Sequence, residues 1–173
     1  MNKIKINKIC KECLTQKGFD SRGCYATECN DACCRYGCDV DKASYDLLKK
    51  EKKLIKELTG VNFSKLFFGK LEIDEEYPGG SYIRSRKLKD TGYCIFHKVN
   101  KTGCILYELV AENKIPLQAI PLICRLYPIE WGDGELVLDH LEENSCNIFR
   151  KDNDCETTIL ETQKDALDEY FDY

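Results

Sequence analysis

Apolar positions recur first at helical spacing. Between residues 41 and 60, Tyr45, Leu48, Ile55 and Leu58 fall near a 3.6-residue period, with Leu47 and Leu54 beside them, while Lys49, Lys50, Lys52 and Lys53 take the other face. The spacing predicts an amphipathic helix over 41–60, capped by Asp41 and ended at Gly60. Residues 61–80 are less regular and close on the turn signal Tyr77-Pro78-Gly79-Gly80. Segments 82–85 and 93–96 read as short strands flanking a polar turn. A second helical pattern covers 105–114, with Leu106, Leu109 and Val110 available for packing and Pro116 as its stop. A short helix over 117–124 is expected to be interrupted or kinked near Pro121. The clearest hairpin signal joins 129–131 to 135–138 through Gly132-Asp133-Gly134. Residues 158–170 read as a polar helix with Ile159, Ala166, Leu167 and Tyr170 as weak anchors.

This mixture predicts an α+β fold: a small, cysteine-rich single domain over 1–173, with several helices, short strands and a hairpin around a metal centre. Its motif core spans 24–146, and a peripheral C-terminal helix spans 156–173. A chain of 173 residues buries a core without needing metal merely to fold. No internal repeat or low-complexity linker interrupts it.

Charge narrows the partners. The formal net charge is −4 and the signs are interleaved. The best basic run, Arg84-Ser85-Arg86-Lys87-Leu88-Lys89, is short and ends at Asp90, so no nucleic-acid partner is expected. The start of the chain has no apolar signal core, and no stretch approaches the ~18 apolar residues of a membrane span. A cytoplasmic protein with no membrane partner is therefore expected, and in that reducing setting cysteines favour metal over disulfides. A partner, if any, is a protein or peptide of unknown identity.

Twelve cysteines carry the chemistry. A dense set runs Cys24, Cys29, Cys33, Cys34, Cys38, and a second is spread over Cys94, Cys104, Cys124 and Cys146. Clustered thiolates bind soft or borderline metals strongly. Adjacent Cys33 and Cys34, if extended, point to opposite sides and so serve two metal atoms or one atom and a neighbouring pocket. Iron–sulfur clusters combine a tight local run with a remote cysteine, as these sets do, but ferredoxin spacings are absent and spacing leaves zinc open. Cys10-Lys11-Glu12-Cys13 has the turn spacing of a zinc ligand pair that Cys24 and Cys29 would complete; the alternative is two unligated thiols. Cys155 reads as a free or auxiliary thiol. Arg35, Lys98 and Arg125 adjoin cysteines and either offset a tetrathiolate's charge or are ordinary surface cations.

The runs Cys29-x3-Cys33-Cys34-x3-Cys38, Gly92-Tyr93-Cys94-Ile95-Phe96-His97, Thr102-Gly103-Cys104-Ile105-Leu106-Tyr107 and Ile123-Cys124-Arg125-Leu126-Tyr127-Pro128, with the late Cys146, resemble the YkgJ-type cysteine-cluster proteins, described as zinc- or iron-chelating. The resemblance covers roughly residues 24–146. It implies a shared metal-binding core of Cys29, Cys33, Cys34, Cys94, Cys104 and Cys124, with Cys38 and Cys146 close behind. The wider spacing of the first cysteines and the added Cys10, Cys13, Cys24 and Cys155 depart from the compact pattern and leave the number of sites open.

Other chemistry is sparse. The two histidines exclude a multi-histidine zinc enzyme. His97 is either a ligand or a solvated turn residue, and His140 reads as structural. No GxGxxG, P-loop or GxSxG motif is present. The acidic runs Asp74-Glu75-Glu76 and Glu142-Glu143 read as solvated loops, and Tyr107, Tyr127 and Trp131 as core or cluster-shielding aromatics. The leading expectation is a metal-binding protein holding an iron–sulfur cluster, of the 4Fe-4S type, or zinc, acting in electron transfer, metal handling or partner binding. The alternatives are a metal-dependent enzyme modifying a peptide or small molecule at an open coordination position, and a dithiol redox protein using Cys33 and Cys34.

Overall fold

Caps, turns and breaks set each element in turn. The computed structural model describes residues 3–18, 31–98, 101–138 and 155–173, so Cys24, Cys29, Cys146, His140 and the Glu142-Glu143 pair lie outside the described residues. Strands β1 (Ile4–Lys5) and β2 (Lys8–Ile9) lead into helix α1 (Lys11–Thr15), which the Cys10 side chain caps. A 3₁₀ turn over Cys33–Tyr36 opens onto β3 (Asp39–Asp41). Helix α2 (Lys42–Lys50) starts at Asp41, whose carboxylate accepts the Ser44 N–H at 2.9 Å. The single helix predicted over 41–60 is broken at Glu51 (φ −95°, ψ 22°), and α3 (Lys52–Thr59) carries it to Gly60. Leu48 and Ile55 stay fully buried across the break, but Leu58 is 48% exposed.

Strands β4 (Glu72–Ile73) and β5 (Ser81–Arg84) follow, separated by the expected turn, in which the Gly80 N–H donates to the Tyr77 carbonyl at 2.7 Å. The strand expected over 93–96 does not form. Cys94 makes an isolated bridge to Lys87, and its N–H donates to the Cys34 carbonyl at 2.7 Å. Helix α4 (Ile105–Ala111) is shorter than its pattern, ending at Glu112 well before Pro116. Pro121 interrupts the next segment, one of the two expected outcomes: a 3₁₀ turn over Leu117–Ala119 precedes it, and α5 (Leu122–Leu126) starts after it, where a missing N–H breaks no helical bond. Strands β6 (Ile129–Gly132) and β7 (Glu135–Leu138) form the expected hairpin. Asp133 (φ 50°) and Gly134 (φ 73°) supply the two positive φ values that match a tight turn to strand twist. Helix α6 (Ile159–Thr162), held by a Thr158/Glu161 capping box, α7 (Lys164–Tyr170) and β8 (Phe171–Asp172) complete the chain.

The class is α+β in one small domain, with three small sheets among the described residues: β1 parallel to β8, β2 parallel to β7 with β6 antiparallel beyond it, and β5 antiparallel between β3 and β4. Among the described residues no helix is long and apolar enough to cross a membrane.

Two apolar clusters fill the interior. Val40, Leu48, Ile55, Leu66, Phe96, Leu106, Leu109 and Ile120 form the first; Leu122, Leu126, Ile129, Leu136, Ile159, Leu167 and Phe171 form the second. The C-terminal segment expected at the periphery is therefore part of the interior, with Ile159 and Leu167 fully buried. Its pairing through β8 to β1 draws Phe171 in. Helix α5 serves both clusters: Leu122 and Leu126 enter the second, while Ile123 and Cys124 pack against the first, a division that helical periodicity dictates.

Asp41 ties these parts together. Only 1% exposed, it accepts the Ser44 hydroxyl and the Leu122 N–H, each at 2.8 Å, so one carboxylate starts α2 and holds the start of α5 against it. Asp41→Ala strands the Ser44 and Leu122 N–H groups in the interior, while the Ser44 hydroxyl keeps the Gln118 carbonyl at 2.8 Å, and is expected to lower unfolding free energy by about 2–4 kcal/mol. The exposed Asp46→Ala should stay within about 0.5 kcal/mol. Urea unfolding of the two variants checks the contrast, and equal losses would remove Asp41 from this role.

Candidate metal centre

Four stretches of backbone deliver six thiols to the edge of the first cluster. Cys33 and Cys34 lie in the 3₁₀ turn, and Cys38 follows it; Cys94 comes from the loop after β5, Cys104 from the start of α4, and Cys124 from α5. Gly37 makes the exit from the turn possible: its φ of 72° favours glycine, and a Cβ there would meet the Ser85 hydroxyl at 3.0 Å. Cys38 is then fixed by Ser85, whose hydroxyl accepts the Cys38 N–H at 2.8 Å and lies 3.6 Å from Cys38 Sγ and 3.7 Å from Cys94 Sγ. The Cys94 N–H bond to the Cys34 carbonyl pins that loop to the turn. Tyr107 donates its hydroxyl to the Cys124 carbonyl at 3.0 Å, joining α4 to α5. Cys38 and Cys94 are buried and the other four half-buried, so the group opens to solvent on one side.

The thiols interact with one another. Contact with Cys33, then burial, pushes Cys34 far above the ordinary thiol range, and Cys104 and Cys124 add to the effect. Cys38 is raised first by its contact with Cys124, and Cys94 first by its contact with Cys38. Burial, then Cys94, pushes Cys104 up to about 12. For Cys124 the contact with Cys38 works downward, yet burial and the surrounding sulfurs still leave it raised. Opposing groups are present: the N–H of Phe96 faces the Cys94 sulfur, and those of Leu106 and Tyr107 face Cys104 without completing a capping hydrogen bond. Such donors favour thiolate. No cation is among the groups that dominate these shifts.

Of the three cations read either as counter-charges or as surface residues, two are engaged elsewhere. Arg125, 5% exposed, places Nη1 and Nη2 each 3.0 Å from Glu169 Oε2, because α7 packs beside α5. Lys98 pairs with Glu108 at 3.3 Å, and Arg35 is exposed. Cys33 and Cys34 sit in a tight turn rather than an extended segment, and their thiols meet instead of pointing apart.

Other expected positions separate from the group. Cys10 and Cys13 lie in the second cluster, with their Sγ atoms 3.0 Å apart. Cys155 contacts the Thr157 hydroxyl at 3.2 Å. His97 is buried rather than solvated: it stacks on Tyr93 at 4.5 Å, and its Nε2 lies 3.2 Å from Asp31 Oδ2 without hydrogen-bond geometry. Of the aromatics, Tyr107 stands at the thiol group, while Trp131 and Tyr127 pack in the second cluster. Ser85 and Tyr77 were not legible as site residues. Ser85 reads as a strand end, and Tyr77 as part of a turn, yet its phenol is raised by burial, with Asp41, Asp39, Cys124 and Cys38 contributing.

Among the described residues, no group of three or more His, Cys, Asp or Glu side chains is arranged to hold a metal ion as it stands. The sulfurs pair with one another, Cys33 with Cys34 and Cys38 with both Cys94 and Cys124. The donor chemistry nevertheless fits a soft or borderline metal: clustered sulfurs, N–H groups directed at two of them, and an electrostatic deficit that a cation would reverse. Compared with family models, curated proteins and solved structures, the chain has no match in any of the three.

The raised thiols set the pH response of the metal-free chain. A folded-state pKa above the unfolded one means that the folded chain holds protons the unfolded chain releases. The associated stability is complete below the ordinary thiol value of ~8.5 and is lost as pH rises toward the folded values, about 12 for Cys104. The urea midpoint of metal-free protein is expected to fall steadily from pH 8.5 to 11, and that of Cys104→Ser to fall less. Identical slopes would contradict burial of these thiols as neutral groups.

Proposed function

We propose that this chain is a metal-binding protein of the YkgJ type, in which thiolates of Cys33, Cys34, Cys38, Cys94, Cys104 and Cys124 hold an iron–sulfur cluster, with zinc as the competing occupant. Cys29 and Cys146, and less directly Cys24, are further candidate ligands outside the described residues. The observation that carries this reading is the gathering of six sulfurs from the 3₁₀ turn, the loop after β5, the start of α4 and α5. Four thiolates satisfy a tetrahedral zinc or one cubane cluster, so the group exceeds either need before the undescribed cysteines are added.

The choice of iron–sulfur rests on the donor set. The chain has two histidines; His97 lies outside the thiol group and His140 outside the described residues, so the donors gathered among the described residues are all sulfur. The opposite-sides argument from Cys33 and Cys34 no longer supports it. A bound cluster would supply one-electron chemistry, whereas zinc would supply cross-linking, or Lewis-acid chemistry at an open position. The protein's own groups would orient the ligands: Ser85 between Cys38 and Cys94, and Tyr107 behind Cys124. A reducing, cytoplasmic setting keeps these thiols available, and the biological role is electron transfer, metal handling or partner binding.

Anaerobic purification from iron-replete cells, followed by iron, zinc and acid-labile sulfide analysis, separates the occupants. Brown protein with equimolar iron and sulfide is expected; colourless protein with stoichiometric zinc would replace the cluster while keeping the ligands. Cys38→Ser, Cys94→Ser and Cys124→Ser should each lose most of the metal, and Cys155→Ser almost none. Equal metal content in all four would end the assignment. Ser85→Ala, which leaves every thiol in place, is expected to weaken metal retention about 10-fold against a competing chelator, as loss of a ligand-orienting group does.

A further inference from the structure

Cys10 and Cys13 stand apart from the thiol group just described. Cys10 caps α1 from an extended conformation (φ −63°, ψ 150°), so its side chain turns back over the first helical turn and its Sγ accepts the Cys13 N–H at 3.3 Å. That is the place a serine or aspartate usually fills. The same geometry carries Cys10 Sγ to 3.0 Å from Cys13 Sγ. The pair is firmly seated, since the Cys10 N–H donates to the Leu136 carbonyl at 2.9 Å and α1 packs between β7 and α6.

The two sulfurs differ in access. Cys13 has no exposed surface, whereas Cys10 is only half-buried. One thiol can therefore be reached from outside, and the other is enclosed in the second cluster beside it. Among the described residues no third ligating side chain joins them. Two sulfurs on a tetrahedral zinc stand ~3.8 Å apart, given bonds of ~2.3 Å, so zinc would push this pair outward, while a disulfide bond completes an approach already made.

From this geometry we infer that Cys10 and Cys13 form a second, separate site: a redox-active dithiol that exchanges with disulfides, Cys10 attacking and Cys13 resolving. The Cys10 thiolate attacks one sulfur of an incoming disulfide, forming a mixed disulfide and expelling one thiolate. Cys13 then gives up its proton and attacks Cys10 Sγ, closing the Cys10–Cys13 bond and expelling the second thiolate, which takes that proton. The dithiol loses two electrons and two hydrogens, and the incoming disulfide leaves as two thiols. The Cys13 N–H holds Cys10 Sγ in place beside its partner, and burial keeps Cys13 protonated until it is called on.

The sequence supplies a direct readout. Lys11 lies between the two cysteines and Lys8 and Lys17 flank them, so trypsin releases 9–11 and 12–17 separately from reduced protein but as one linked species from oxidised protein. The full-length protein as purified is equilibrated in glutathione buffers from reduced to oxidised, quenched with alkylating agent, digested and weighed. The linked species, two hydrogens lighter than the sum of its parts, is expected to rise from a minor to the major form across the series and to reverse on reduction. Cys13→Ser should trap glutathione on Cys10, and Cys10→Ser should leave Cys13 unmodified, at least 10-fold less adducted than Cys10 in the converse variant. Absence of the linked species at every ratio would overturn the assignment, as would equal adduct formation in the two variants. Its appearance only after chelation, with one zinc released, would assign the pair to a zinc site instead.

Discussion

Sulfurs from distant parts of this chain are packed together at the edge of an apolar cluster, with no cation among the groups that dominate their ionisation. In a medium of low dielectric, neighbouring thiols cannot release their protons without strong mutual repulsion. The metal-free fold therefore holds them neutral, with Cys33 against Cys34 and Cys38 against Cys94 and Cys124. Much of the surrounding structure serves this gathering. Gly37 turns the chain so that Cys38 meets Ser85, the Cys94 loop is pinned to the Cys34 carbonyl, and Tyr107 fastens the backbone of Cys124. A cation placed among these sulfurs would convert repulsion into attraction, and the pairing contacts would become ligand bonds.

The division of the interior into two clusters gives that centre its mechanical setting. Helix α5 is short, yet it presents Cys124 and Ile123 to one cluster and Leu122 and Leu126 to the other. Its start is held by Asp41 and its Arg125 by Glu169 of α7. A change at the thiol group therefore acts on a helix that both clusters grip. The Cys10 and Cys13 pair lies on the far side of that helix's contacts, in the second cluster, where α1 meets the hairpin. The two groups of thiols are thus kept in separate packing environments.

Much of this was legible in the pattern of residues. The Asp41 cap, the turn at Tyr77, the strand before Ser85 and the hairpin around Asp133-Gly134 all follow from local signals, and local signals are what a sequence displays. The strand expected over 93–96 failed because the Cys94 N–H found the Cys34 carbonyl, a partner sixty residues earlier that no local pattern shows. Arg125 was read as a counter-charge for its neighbour Cys124, but at one residue's separation on a helix the two side chains diverge, and Glu169 lay on its side. Cys33 and Cys34 were expected to point apart on the premise of an extended backbone, and the 3₁₀ turn removed that premise. Ser85 was invisible because a strand-end serine has no distinguishing neighbour; only the fold brings Cys38 and Cys94 to it. The C-terminal helix looked weakly anchored because its apolar residues are few, although each of Ile159, Ala166, Leu167 and Tyr170 is buried.

The central claim is that the gathered cysteines act as one set of metal ligands. Metal-edge X-ray absorption on anaerobically prepared protein tests this most directly, because it reports the atoms bonded to the metal. An all-sulfur shell at ~2.3 Å, losing sulfur in Cys38→Ser and Cys124→Ser alike, is the predicted result. A shell dominated by nitrogen and oxygen, unchanged in both variants, would contradict it.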